Sequence, residues 1–273
     1  DVAVAAIVGL CLIGSLSLGS VRGALADFLT VFRVEKFKTV TISPQDINQI
    51  EEAIRSGVGS IDVENFGEIK VSGQPEETVC NLDQAREMVD FAIKTPQLAS
   101  FDDPRVRVYK PASLSLTLDT GQVNAMIESL GGTSLLPQGL DGKTFTLNVP
   151  YSLSLEYAAI NEKPVSLLQM KSPELQVPEG VEVEAVREAL LSLPFLPEQV
   201  RSQLAAINDW RNTVVIPGTG QTSEVSVRGQ EGVFAAEAES GMANLFWSEE
   251  GIVYCLCGNF TLDEARQVAE SMR

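Results

Sequence analysis

The sequence predicts an α+β fold: a long hydrophobic N-terminal helix, followed by mainly antiparallel sheets with packed helices in two subdomains. Two observations carry this prediction. Residues 2–21 form an uncharged apolar run, and the rest of the 273-residue chain alternates between short strand-like and helix-like patterns. We place the hydrophobic helix over 1–36, a small α+β subdomain over 37–98 and a larger α+β domain over 99–273.

The apolar run is long enough to cross a bilayer, because twenty helical residues rise about 30 Å. The helical period continues through Phe28 and Phe32, so we expect the helix to reach about Glu35. Small residues spaced by four form a ridge on which another helix could pack: Cys11, Ser15, Gly19 and Gly23. The run therefore predicts a membrane anchor or an assembly helix. Because only Asp1 precedes the run, we expect a fragment or a processed product.

Capping signals and alternation predict the small subdomain. Ser43 followed by Pro44 is typical of a helix start, and we expect this helix to reach Arg55. Asn81 can cap a second helix. Strands are expected at 37–42, 60–71 and 77–80. The proline-rich stretch 95–104 predicts the boundary with the larger domain.

The larger domain alternates more clearly. A helix is expected at 123–130, closed by Gly131, and a helical pair at 182–193 and 198–208. A final helix is expected at 262–272. Strands are predicted at 106–109, 114–118, 145–149, 153–157, 165–170, 214–216, 224–228, 233–236, 243–247 and 252–257.

Composition narrows the functional class. The chain has 20 basic and 37 acidic residues, a net charge of −17, which argues against nucleic acid as a partner. It contains no histidine, which removes mechanisms that need a histidine base and zinc sites that contain histidine. No carboxylate spacing selects an acid and base pair. We therefore predict a non-enzymatic protein with no catalytic residue, no cofactor and no metal.

Individual motifs have structural explanations. Gly142-Lys143-Thr144 is similar to the end of a phosphate-binding loop, but Pro137 stands where that motif needs glycine, so we predict a turn. Acidic pairs such as Asp102-Asp103 and Glu249-Glu250 are expected in solvated loops. Trp210 and Trp247 are expected to anchor the core.

The cysteines leave two interpretations open. Cys255 and Cys257 lie two apart in a predicted strand, so they share a face and do not converge on a tetrahedral metal. Outside the cytoplasm, Cys80 could form a disulfide with one of them. Free thiols in the core fit the sequence equally well.

A family resemblance extends over most of the chain. At the C-terminus it is carried by Leu245-Phe246-Trp247, Gly251, Tyr254, Gly258, Leu262-Asp263-Glu264-Ala265 and Ala269-Glu270-Ser271-Met272. Upstream it is carried by 24–35, Leu135-Leu136-Pro137, Leu140-Asp141-Gly142-Lys143 and Ser172-Pro173-Glu174-Leu175. These motifs resemble the poorly characterised extracytoplasmic domain of anti-sigma-factor-like and sporulation-associated single-pass membrane proteins of Gram-positive bacteria. The resemblance implies a sensory domain outside the membrane and a sigma-binding segment before the helix, where this sequence has Asp1 alone.

Two functions follow as hypotheses. In the first, the chain is a cell-envelope protein, anchored by its N-terminal helix, whose acidic extracytoplasmic module senses a signal or binds another envelope protein or a protease. In the second, it is a processed, pilus-like structural subunit of an extracellular filament, with N-terminal helices packed in the core. The expected partners of the helix are the lipid bilayer in the first case and copies of the chain in the second.

Overall fold

A computed structural model describes residues 29–57, 66–73, 76–98, 101, 103–160, 163–218, 221–236 and 241–273. This part of the chain is α+β with mainly antiparallel sheets. The strands are β1 (Leu29–Arg33), β2 (Lys36–Thr41), β3 (Gly67–Ser72), β4 (Glu77–Cys80), β5 (Arg105–Tyr109), β6 (Ala112–Leu118), β7 (Thr144–Val149), β8 (Ser152–Ile160), β9 (Lys163–Lys171), β10 (Glu174–Pro178), β11 (Thr213–Gly218), β12 (Gln221–Val227), β13 (Gln230–Ala236), β14 (Ala243–Glu249) and β15 (Ile252–Gly258). The helices are α1 (Pro44–Gly57), α2 (Leu82–Met88), α3 (Thr120–Ser129), α4 (Val183–Leu191), α5 (Glu198–Ala205) and α6 (Leu262–Ser271), with short 3-10 turns at Gln138–Leu140 and Trp210–Asn212.

The prediction of a long hydrophobic helix over residues 1–36 is wrong. Strand β1 occupies Leu29–Arg33 and pairs antiparallel with β10, and β2 begins at Lys36. β-branched and aromatic residues such as Val31 and Phe32 suit a strand, and the ladder with β10 outweighs their helical spacing. Residues 1–28, with the ridge of Cys11, Ser15, Gly19 and Gly23, lie outside the described residues. No helix in the described part has the length and apolar character needed to cross a membrane.

Local capping chemistry explains the helices that the sequence predicts correctly. The backbone N–H of Asp46 donates to Ser43 Oγ at 3.1 Å at the start of α1. Asn81 and Gln84 form a reciprocal capping box at α2, in which Gln84 N–H donates to Asn81 Oδ1 at 2.9 Å. Thr261 forms the same arrangement with its N3 residue at α6. The two residues in each of these contacts lie only a few positions apart in the chain, so the sequence alone predicts the contacts.

The strands form three sheets. The largest has eight antiparallel strands in the order β12-β13-β14-β15-β9-β8-β5-β4. One face packs against α2 and α6 around Leu155, Leu245 and Trp247. The opposite face carries Val233 and Val253, which pack against Phe37 of β2. β2 itself pairs parallel with β11, forming a two-stranded sheet that covers this face.

A second core lies beneath the five-stranded sheet, whose order is β1-β10-β7-β6-β3. Its members include Ile50 of α1, Ile127 of α3, Ala189 of α4 and Val200 of α5. The predicted helical pair, α4 and α5, thus packs against the five-stranded sheet. β10, which the sequence did not reveal as a strand, lies between β1 and β7.

A long two-stranded ribbon joins the two large sheets. β3 pairs antiparallel with β6, and β4 pairs antiparallel with β5, so residues 67–72 run along 113–118 and residues 77–80 run along 106–109. The register changes by one residue between the two halves, where Lys110 N–H donates to Glu76 O at 3.2 Å. This pairing crosses the predicted boundary between residues 98 and 99. It also makes β3 and β4 the edge strands of their sheets.

Candidate functional site

A shallow depression of about 360 Å³ lies beside β12 and β13 and is lined by charged groups. Lys38 contacts Glu224 at 2.9 Å and Glu231 at 3.5 Å. The hydrogen bond to Glu224 raises the pKa of Lys38 above its ordinary value. Arg266 also lines the depression, so two basic and two acidic side chains surround it.

A more buried ion cluster ties the C-terminal helix to the eight-stranded sheet. The Arg228 guanidinium contacts both carboxylate oxygens of Glu249, at 2.9 and 3.3 Å. It also donates to the carbonyl oxygens of Ala269 and Met272 at the end of α6, at 3.1 and 3.0 Å. Lys94 approaches the same carboxylate at 3.0 Å. Burial opposes ionisation of Glu249, but the two cations outweigh it and lower its pKa.

The cluster joins α6 to the sheet, because Arg228 contacts both Glu249 and the carbonyl oxygens at the end of α6. The Arg228 and Glu249 side chains are only 18% and 15% exposed. The prediction of a solvated Glu249 is therefore wrong: the residue ends β14 with its side chain inside the ion cluster, and only the neighbouring Glu250 is exposed in the turn. The sequence near Glu249 does not indicate this environment, because Arg228 and Lys94 are distant from it along the chain. Asp102 lies outside the described residues, and Asp103 is exposed.

The aromatic residues serve packing. Trp247 is fully buried and stacks on Tyr254 with ring centroids 5.0 Å apart, so its predicted anchoring role is confirmed. Burial is the main reason that the pKa of Tyr254 rises to about 12. Trp210 is only half-buried, contrary to prediction. Its ring lies against the guanidinium groups of Arg187 and Arg211, at 5.8 and 6.0 Å from the centroid.

The three described cysteines are free thiols. The Sγ atoms of Cys255 and Cys257 are 3.2 Å apart on one face of β15, which confirms their shared orientation. Their mutual hydrogen bond and burial raise the pKa of Cys255 well above its usual value. The same hydrogen bond lowers the pKa of Cys257, and burial only partly opposes this. Cys80 packs against the core on the α2 side of the sheet, and burial raises the pKa of its thiol.

The glycine-containing motif at 142–144 forms a turn. Gly142 has φ +65° and donates its N–H to Leu118 O at 2.9 Å before β7 begins at Thr144. No group of three or more His, Cys, Asp or Glu side chains able to hold a metal is found within the described ranges.

The outer edge of the ribbon is the most distinctive surface. Five large apolar side chains are exposed in the described structure, and three of them lie on β3 and β4. These three are Ile69, 37% exposed, Val71, 66%, and Val79, 55%. No described strand pairs with the outer side of either β3 or β4. An unpaired edge offers backbone N–H and C=O groups, to which another strand can hydrogen-bond.

The β3 half of this edge carries two charged side chains. Glu68 and Lys70 lie on one face of the strand, with Lys70 Nζ 2.9 Å from Glu68 Oε2, and both are exposed. Ile69 and Val71 point to the other face, beside Leu116 and Leu114 of β6. The strand therefore has an apolar face that continues the sheet and a face with one acid and one base.

The sequence matches no family model, no curated protein and no solved structure. The resemblance to anti-sigma-factor-like membrane proteins therefore stays a prediction. The predicted helix-packing residues lie outside the described residues, and the ribbon edge was not predicted from the sequence. The alternation from Glu68 to Val71 did signal a strand, but no sequence signal marked it as an edge.

Proposed function

We propose that this chain is a non-enzymatic interaction module of the cell envelope, which binds a partner strand along β3 and β4. The observation that carries the proposal is the unpaired ribbon edge with its three exposed apolar side chains. Strand addition at such an edge obtains affinity from main-chain hydrogen bonds and specificity from alternate side chains.

The rest of the molecule supports an interaction role. The ribbon belongs to both large sheets, so a strand added there would be held by two packed cores. Such an edge is preorganised, which reduces the entropy lost on binding. Lys38 of the depression and Arg228 of the ion cluster are both held in ion pairs with neighbouring carboxylates.

The proposal also includes where the chain is located in the cell. The uncharged run at residues 2–21 would attach the chain to lipid, and the acidic remainder would lie outside the cytoplasm. The resemblance described above suggests that the partner is another envelope protein. The filament alternative stays a prediction, and no contact among the described residues favours it.

Photo-crosslinking in cells tests the interaction. A photoreactive residue at Val71 should yield a crosslinked adduct, whereas the same residue at Leu135, an exposed apolar position outside the ribbon, should not. Ile69→Lys in the same chain should reduce the adduct, because it places a charge on the apolar face. Equal labelling at both positions, or none at Val71, would contradict the proposal.

Protease treatment of intact cells tests the localisation. External protease should digest the acidic module, and lysis should add little further digestion. A module that resists protease until the cells are lysed would show that it faces the cytoplasm.

A further inference from the structure

We propose that the occupant of the β3 edge is the β3 strand of a second copy of this chain, paired antiparallel across a two-fold axis. This inference rests on the proposed function and names its partner. The charge pattern of β3 and the symmetry of strand pairing point to this occupant.

Symmetry limits the registers. A two-fold axis normal to the sheet places each residue opposite one on the same face of the other copy, so the two residue numbers must add up to an even value. Within β3, two such registers pair five residues each. One is centred on Ile69 and the other on Lys70.

The charges favour the register centred on Ile69. There, Glu68 of each copy lies directly opposite Lys70 of the other, and Ile69 faces its own counterpart on the apolar side. Opposite charges in directly opposed positions stabilise a pair of strands, whereas like charges destabilise it. The register centred on Lys70 places two lysines opposite each other and leaves Glu68 facing Ser72. The sequence of β3 is thus complementary to itself in one register only.

In this register Val71, the most exposed of the described large apolar residues, lies opposite Gly67 of the other copy. Gly67 has φ +137°, and an added Cβ would lie 2.0 Å from Thr117 O, so its pairing with β6 requires glycine. The two five-stranded sheets then become one continuous sheet of ten strands.

Pairing of a single strand buries less surface than a standard stable interface, so the dimer should be weak and dependent on concentration. Attachment of both copies to one membrane would raise their effective concentration. Self-association is therefore best trapped covalently.

Disulfide trapping of the full chain in its native membrane tests the register. Paired residues in antiparallel strands have Cα atoms about 4.5–5.5 Å apart, which a disulfide can bridge. I69C should therefore form a crosslinked dimer on mild oxidation, well above wild type and above L135C, the control for random collisions. V71C should crosslink less than I69C, because residue 71 of one copy then faces Gly67 of the other and not its own counterpart, while Glu68 and Lys70 stay in place.

Charge reversal provides the matched control. In the I69C background, E68K or K70E alone should lower the association constant about tenfold, since each places like charges opposite each other at two points. The double variant E68K/K70E should restore crosslinking to the I69C level. Restoration would not follow if the single variants acted only by damaging the monomer.

Several outcomes overturn the inference: I69C no better than L135C, V71C better than I69C, or no rescue by the double reversal. The mass of the adduct at Val71 separates this inference from the proposed function. If Val71 forms an adduct with a different protein and I69C forms no dimers, the proposed interaction function stands and the proposed self-pairing is wrong. No adduct of either kind would eliminate both.

Discussion

Replacing Arg228 with methionine removes the guanidinium and keeps an unbranched side chain at a constrained position. Arg228 and Gly229, with φ +51° and +78°, form the two-residue turn between β12 and β13. Both positive values are typical of a type I′ turn, in which Asn-Gly is preferred. Arginine is therefore a locally unfavourable choice. We infer that its contacts to Glu249 and to the end of α6 compensate for this.

The expected loss can be worked from those contacts. Hydrogen bonds to charged groups contribute about 1.5–3 kcal/mol each, and neutral ones about 1 kcal/mol. Arg228 makes two contacts to the Glu249 carboxylate and two to carbonyl oxygens. Lys94 would still pair with Glu249 at 3.0 Å, which keeps that carboxylate from being wholly unpaired. The bonds of one network do not add, so we start from the cost of removing one partner of a buried ion pair, about 3–5 kcal/mol. Because Lys94 still pairs with Glu249, R228M should lower the free energy of unfolding by about 2–4 kcal/mol.

The assay is chemical denaturation followed by the fluorescence of Trp247, which is buried in the same core. Glu250→Met is the matched control. Glu250 occupies the equivalent position of the turn between β14 and β15, at φ +54°, and its side chain is exposed. E250M should change stability by less than about 0.5 kcal/mol. Equal losses in R228M and E250M, or a loss below about 1 kcal/mol in R228M, would refute the reasoning.

Three further predictions concern pH, packing and thiol reactivity. Because the pKa of Glu249 is lowered in the folded state, its ionised form contributes stability above the unfolded carboxyl pKa of about 4.3. This stability is lost as the pH falls through the folded pKa. In E249Q the free energy of unfolding should therefore decrease less steeply at acid pH. Parallel curves would contradict this. Gly232→Ala places a Cβ 2.6 Å from Phe246 O and should cost about 1–3 kcal/mol in a denaturation curve, whereas Gly139→Ala, with open space around it, should cost almost nothing. Cys257 should react with iodoacetamide before Cys255, as followed by mass spectrometry, because it is less buried and its pKa is lowered. Faster labelling of Cys255 would be inconsistent with the pair's geometry.

Local chemistry explains why most elements could be predicted. The start of α1 follows from Ser43 and Pro44, and the start of α2 follows from Asn81. Strong alternation predicts β8 and β9 because one of their faces is buried. In each case the decisive groups lie a few residues apart along the chain.

The main error arose where a distant partner decided the conformation. Leu29–Arg33 fits a helical spacing, yet its backbone pairs with β10, about 145 residues later. The solvated environment predicted for Glu249 is wrong for the same reason, since its side chain pairs with Lys94 and Arg228. Neither partner can be identified from the residues nearby.

The sequence by itself determined the α+β class of the described chain, the helix caps, most strand positions and the strong negative charge, because these depend on composition and on neighbouring residues. Only the tertiary structure decided that β3 and β4 lie on the outside of their sheets. Whether a strand is central or at an edge depends on which distant strands hydrogen-bond to it. For that reason the exposed edge with Ile69, Val71 and Val79 emerged only from the pairing of the whole chain.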